Sequence, residues 1–179
     1  MDGRFGWNIF EGKVIELDFE KSLLIVHSSL PKGMHDYHRS NIHFIHSFLC
    51  VEAYLGTGLK KCKGNFLMDT GADQAMMLDS TWFHDQHIPM EFKLIKTTIF
   101  RDPRGQKFES KTVLSPFLFI NGFSLTGIPT ALLGSKNPTS LELNYFGNEL
   151  LKRFNTIIDL KKDHIFLKAN SLTNLPWKS

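Results

Sequence analysis

Hydrophobic and polar positions alternate along most of this chain in short runs separated by turn residues. The runs are rich in β-branched and aromatic side chains, a pattern of strands. "KVIELD" (13–18) and "SLLIVHS" (22–28) flank a short turn and predict a hairpin. "HSFLCVEAYLG" (46–56) and "KCKGNFLMD" (61–69) predict a second hairpin around Gly56 and Gly58. "FKLIKTTIF" (92–100) and "QKFESKTVL" (106–114) flank Asp102-Pro103-Arg104-Gly105, which suits a type I turn. "FLFI" (117–120) and "FSLTG" (123–127) flank Asn121-Gly122, a strong hairpin signal, and "IPTALL" (128–133) adds a strand. "NTIIDL" (155–160) and "HIFLKA" (164–169) close the pattern as a last hairpin. Helical spacing occurs in "GNELLKRF" (147–154), with basic residues in its final turn. "DSTWFHDQ" (79–86) predicts one or two helical turns, with Asp79 or Ser80 as N-cap. "PKGMHDYHRSN" (31–41) is polar and aperiodic and reads as a linker. The fold class expected from all of this is mostly β with one or two short helices.

Two stretches resemble one another. Residues 5–30 read "FGWNIFEGKVIELDFEKSLLIVHSSL", and residues 146–172 read "FGNELLKRFNTIIDLKKDHIFLKANSL". Both open on Phe-Gly, and in both an aspartate follows the glycine by 12 positions, at Asp18 and Asp159. Each then passes through a polar turn into an apolar strand. The first stretch thus reads as the tail of an earlier repeat whose front is missing.

Bulk properties narrow the function. The 179 residues and 42% hydrophobic content suffice for one well-packed domain. A formal charge of +3, with no basic run interleaved with aromatics, argues against a nucleic-acid partner. No apolar run reaches the ~18 residues of a membrane span. The opening Met-Asp-Gly-Arg shows no basic segment leading into an apolar one. Two cysteines, Cys50 and Cys62, are too few for a disulfide framework and are expected as buried thiols. His35, His38, His43 and His46 carry paired spacing, but they lie along a linker entering a strand with Asp36 as the nearby carboxylate, so no metal site is expected.

The chemistry concentrates at "NFLMDTGADQAMML" (65–78). An apolar strand ends in Asp69, and Gly71 permits a tight bend behind it. Thr70 sets a hydroxyl beside the carboxylate, and Ala72 leaves room for another segment. A lone aspartate of ordinary pKa, near 3.9, is ionised at neutral pH and donates protons poorly. Two carboxylates sharing a site hold one proton between them and serve as both acid and base.

"FLMDTGAD" resembles the active-site strand of retropepsin-like aspartic proteases of the bacterial type, in the clan of pepsin-like acid proteases. "YFGNELL" (145–151) is similar to the family's second signature, two apolar residues and a glycine entering a helix. The hairpin 92–114 stands where the family has its flap. The resemblance covers about residues 47–170. It implies a retropepsin-like β-barrel lobe and an aspartic-type peptidase needing no cofactor and no metal. Its partners would be a peptide or protein substrate, plus a homodimer mate or an upstream lobe giving the second aspartate. Asp69, Thr70 and Gly71 would be catalytic. Ala72 and Asp73 would face substrate, with Arg101, Asp102, Pro103, Arg104 and Gly105 at the flap tip. Tyr145, Phe146 and Gly147 would support the active-site strand. The expected organisation is a preceding lobe's tail over 1–30, a linker over 31–46, the protease lobe over 47–172 and a tail over 173–179. Two departures stand out. Asn148 occupies a place where retroviral members often have arginine, and the flap tip is charged where many are glycine-rich. They leave room for the alternative of a catalytically inactive peptide-binding or assembly module.

Overall fold

The protein was analysed as a computed structural model describing residues 6–57, 60–88, 92–101, 107–133 and 143–178. It divides into two units. The first joins residues 1–51 to 152–175, and the second joins 52–151 to 176–179.

In the first unit, β1 (Val14–Asp18) and β2 (Leu23–His27) form the expected hairpin, as do β11 (Phe154–Asp159) and β12 (His164–Ala169). β1 pairs antiparallel with β11, so the two hairpins share one sheet. A further strand, β3 (His38–Ile45), pairs with β12 and with the start of β4 (Phe48–Gly56). The strand order is β2-β1-β11-β12-β3-β4. β3 includes residues 38–41, which the polar composition had marked as irregular. Residues 38–41 are paired along β12 and residues 42–45 along β4, and Ile42 is the one residue of β3 that is fully packed away. Val14, Ile157 and Phe166 pack together beneath Leu30, Met34 and Tyr37. Arg153 is buried at 1% exposure, and its guanidinium donates to the carbonyls of Leu172, Thr173 and Leu175. A buried cation needs such partners, and these three fix the last residues of the unit.

The second unit holds β5 (Lys61–Met68), β6 (Met76–Leu78), β7 (Lys93–Arg101), β8 (Lys107–Ile120), β9 (Phe123–Leu133) and β10 (Asn144–Phe146). It also holds α1 (Ser80–Asp85) and α2 (Asn148–Leu151), the two short α-helices among the described residues. Following the pairings, β4, β5, β10, β6, β9 and β8 adjoin in turn, and β8 returns to β4. The ring closes into a six-stranded barrel filled by Leu55, Phe66, Met76, Leu78, Leu118, Ile128 and Phe146.

β8 merges two strands read separately from the sequence, and its upper edge changes partner midway. Residues 107–114 pair with β7, and 117–120 pair with β4. Pro116 sits at the changeover, where its missing N–H disturbs no ladder. Across the sheet Gly127 adopts φ of +60°, which relaxes β9 at the same level. β7 and the first half of β8 form the expected long hairpin. Its turn, residues 102–105, lies outside the described residues.

α1 begins where expected. Asp79 is its N-cap, accepting from the Trp82 amide at 2.9 Å. α2 is shorter than the pattern over 147–154 implied. It ends at Leu151 because the chain enters β11 at Phe154, whose ring is buried at 1% exposure. The apolar spacing there serves two elements in succession rather than one helix.

Candidate active site

The strand β5 delivers Asp69. Phe66, Leu67 and Met68 are buried, so the backbone emerging at Asp69 is set by packing behind it. The Asp69 carboxylate accepts from the Gly71 amide at 2.9 Å, and its carbonyl accepts from the Ala72 amide at 3.3 Å. These two bonds wrap residues 69–72 into a tight turn around the acid. One carboxylate oxygen is thereby oriented by the loop that follows it. Asp69 and Ala72 are partly buried, whereas Thr70, Gly71 and Asp73 are exposed.

The turn is held from behind by β10. This three-residue strand lies between β5 and β6, parallel to the first and antiparallel to the second. The loop bearing Asp69 therefore joins two strands that a third separates. Phe146 sits opposite Met68 and Met76, and its carbonyl accepts from the Asp69 amide at 2.9 Å. Phe146 and Phe66 stack with centroids 4.2 Å apart, and Trp82 of α1 meets Phe66 edge-on at 6.2 Å. Stacked and edge-on rings of this kind stiffen the floor of the turn.

Gly147 completes the clamp. Its amide donates to the Ala75 carbonyl at 3.0 Å, and the next amide, of Asn148, donates to the Ala72 carbonyl at 2.6 Å. A Cβ on Gly147 would lie 2.1 Å from the Gln74 carbonyl oxygen and 2.8 Å from that of Ala72. Only a residue without a side chain lets the two loops approach this closely. α2 then starts at Asn148. Glu149, 4% exposed, accepts from the Lys178 amide at 3.2 Å.

The two sequence signatures, over 66–73 and 145–151, are thus brought together by main-chain bonds. Phe146 and Gly147 are bonded through their main chain to the Asp69 loop and its continuation, and Tyr145 pairs with Leu67 and Met77. Sequence reasoning missed Gln74 and Ala75, whose backbones receive Gly147. It also missed Asn144, whose amide oxygen accepts from the Asp79 N–H at 3.0 Å and ties β10 to the start of α1. No side-chain type marks the first two, because their work is done by carbonyls. Asp102, Pro103, Arg104 and Gly105 lie outside the described residues. Arg101 ends β7 opposite Lys107. Among the described residues no group of three or more His, Cys, Asp and Glu could hold a metal ion. No helix among them is long and apolar enough to cross a membrane. Cys50 and Cys62 are buried free thiols.

No family model and no curated protein matches this chain. Solved structures similar to it include the following two. A retropepsin-like aspartic protease from Rickettsia conorii is 20% identical with a TM-score of 0.48, over 73% of this chain and 90% of that one. Basic 7S globulin from soybean is 12% identical with a TM-score of 0.51, over 92% of this chain and 52% of that one. The chain therefore spans about half the length of the globulin. At this identity the likeness to the globulin is one of fold, a mostly β architecture with few helices.

Proposed function

We propose that the chain is one lobe of an aspartic-type peptidase, with Asp69 as one of two carboxylates that activate a water. The observation that carries this reading is the Asp69 turn itself. A carboxylate stands at the mouth of a buried strand, oriented by the Gly71 amide, on a loop clamped through Ala72 and Ala75 to the Gly147 junction. Such rigidity is what a group handling one water at a fixed distance requires.

In the proposed reaction one aspartate is ionised and takes a proton from the water, while the other is protonated and donates to the peptide carbonyl oxygen. The water oxygen attacks the carbonyl carbon and forms a tetrahedral adduct. Proton return to the amide nitrogen then lets the C–N bond break. Two adjacent carboxylates divide these roles because they cannot both ionise easily, and the pair titrates as a unit. Thr70, Gly71, Ala72 and Asp73 would flank the substrate. The hairpin of β7 and β8 would cover it. The second aspartate would come from a second lobe, of which residues 1–30 are the tail, or from a second copy of the chain.

The test is Asp69→Asn, which preserves shape and removes the acid. Cleavage of an unfolded protein substrate between roughly pH 4 and 7, the window of a coupled pair, should fall to background. Cleavage that survives the substitution removes Asp69 from the mechanism. A second reading, a peptide-binding module without hydrolysis, draws on the single Asp-Thr-Gly of the chain and on Asn148. Calorimetric binding of peptide by a polypeptide that holds both lobes, with no cleavage over the same pH range, would select it.

A further inference from the structure

The helix that anchors the Asp69 turn is too short to hold itself. α2 has four residues, Asn148–Leu151, and starts directly after Gly147. A single turn is marginal in isolation, because few of its amides find a carbonyl within the helix. The Leu150 and Leu151 amides both donate to the Gly147 carbonyl, at 3.1 and 3.0 Å. The amides of Gly147 and Asn148 are committed elsewhere, to the carbonyls of Ala75 and Ala72. These two bonds clamp the loop that carries Asp69. They are only as firm as the helix behind them.

Residues 176–178 supply support from far along the chain. Glu149, in the first turn of α2, is 4% exposed, and a carboxylate is seldom buried without a partner. Its Oε1 accepts from the Lys178 amide at 3.2 Å. The preceding residue, Trp177, donates from Nε1 to the Thr126 carbonyl at 3.0 Å. Pro176 narrows the conformations open to the segment before them. Two consecutive residues thus grip two elements of the second unit, α2 and β9. Both elements border the Asp69 loop. α2 follows the Gly147 clamp, and β9 pairs through Thr130, Ala131 and Leu132 with β6, into which the loop runs at Met76.

We propose that residues 176–178 are a strap that sets the Asp69 turn from behind, with Glu149 as the positioning residue it acts through. With the strap seated, α2 is fixed, the Gly147 and Asn148 amides stay on their two carbonyls, and the carboxylate keeps its orientation. With the strap released, α2 frays and the turn loses its clamp, while the barrel strands keep their ladders. The effect on catalysis rests on the reading of Asp69 given above. The effect on the order of the turn does not, so the two can fail separately.

The experiment compares the full 179-residue chain with its Glu149→Met, Glu149→Gln and Trp177→Ala variants. Methionine fills the buried space without offering an acceptor, whereas glutamine keeps one. Hydrogen exchange at the Gly147 and Asn148 amides should quicken by on the order of tenfold in Glu149→Met and Trp177→Ala, with β8 amides unchanged. Glu149→Gln should bring the exchange back toward that of the parent. In peptide cleavage the kcat of Glu149→Met should fall by on the order of tenfold at unchanged KM, and glutamine should recover it. Unchanged exchange at Gly147 and Asn148 in both Glu149→Met and Trp177→Ala overturns the proposal. Quickening spread equally over β8 also overturns it, by marking a general loss of stability. If Glu149→Met does not fold, Trp177→Ala decides. Cleavage absent from the parent chain bears on the peptidase reading alone, and exchange then decides the strap.

Discussion

Gly147 is the residue on which the candidate site most visibly turns. Its missing side chain lets the Gln74 and Ala72 carbonyls close over it, and its amide holds Ala75. Gly147→Ala forces backbone, not a flexible side chain, out of the way. The expected loss is about 3 kcal/mol or more by urea denaturation, with peptide cleavage falling as the Asp69 turn is displaced. An alanine variant as stable as the parent would show that the clamp yields easily. The two thiols make a contrasting case. Cys50 is fully buried, and burial pushes its pKa up to about 11, while Cys62 is raised for the same reason. A thiol attacks as its thiolate, so neither is a ready nucleophile. Iodoacetamide at pH 8 should leave both unmodified in the folded chain and label both in urea. Rapid native labelling of either would contradict the burial.

At the level of elements, the hairpin turns set the register of the first unit. Asp18 and Asp159, 4% and 2% exposed, each hold a following amide, and the adjacent left-handed residue completes the bend. Replacing Asp159 with alanine should cost about 1 kcal/mol, the usual worth of one such bond, and replacing Asp18 should cost more, because Asp18 also accepts from the Lys21 ammonium at 2.7 Å. Equal costs in urea titrations would mean that the ammonium adds nothing. Both aspartates were legible in the sequence as turn residues, as were the hairpins, because turn chemistry and alternation are local signals. The tight turn at Asp69 was legible too, since Asp-Thr-Gly-Ala and Tyr-Phe-Gly carry their own constraints. What escaped were β3, β6 and β10. Residues 38–41 are polar because the strand is held by its ladders more than by a buried face. Met76–Leu78 and Asn144–Phe146 are three residues each, too short for any period to register. They become strands only because β10 inserts between β5 and β6, a pairing set by distant sequence. α2 was overextended for the related reason that Leu150, Leu151 and Phe154 are all buried, although they belong to different elements.

At the scale of the whole molecule, Asp18, Glu20 and Asp36 lie below the ordinary carboxylate range, and all three belong to the first unit. Asp18 is lowered first by its hydrogen bond from the Lys21 ammonium, Glu20 by hydrogen bonds from Ser171, and Asp36 by the bond from Lys168. Each prefers to be ionised in the folded chain more than in the unfolded one. The stability they contribute is therefore complete above the unfolded values, near 3.9 for Asp and 4.3 for Glu, and disappears as pH falls through the lower folded values. Glu20 and Asp36 are solvated, so their share is small, and Asp18 should dominate. The urea midpoint of the first unit, followed by exchange of β1 and β11 amides, should hold steady from pH 7 to about 5 and fall below about 4. Asp18→Asn should lower the midpoint at pH 7 and flatten its decline in acid. A midpoint constant down to pH 3 would refute this linkage.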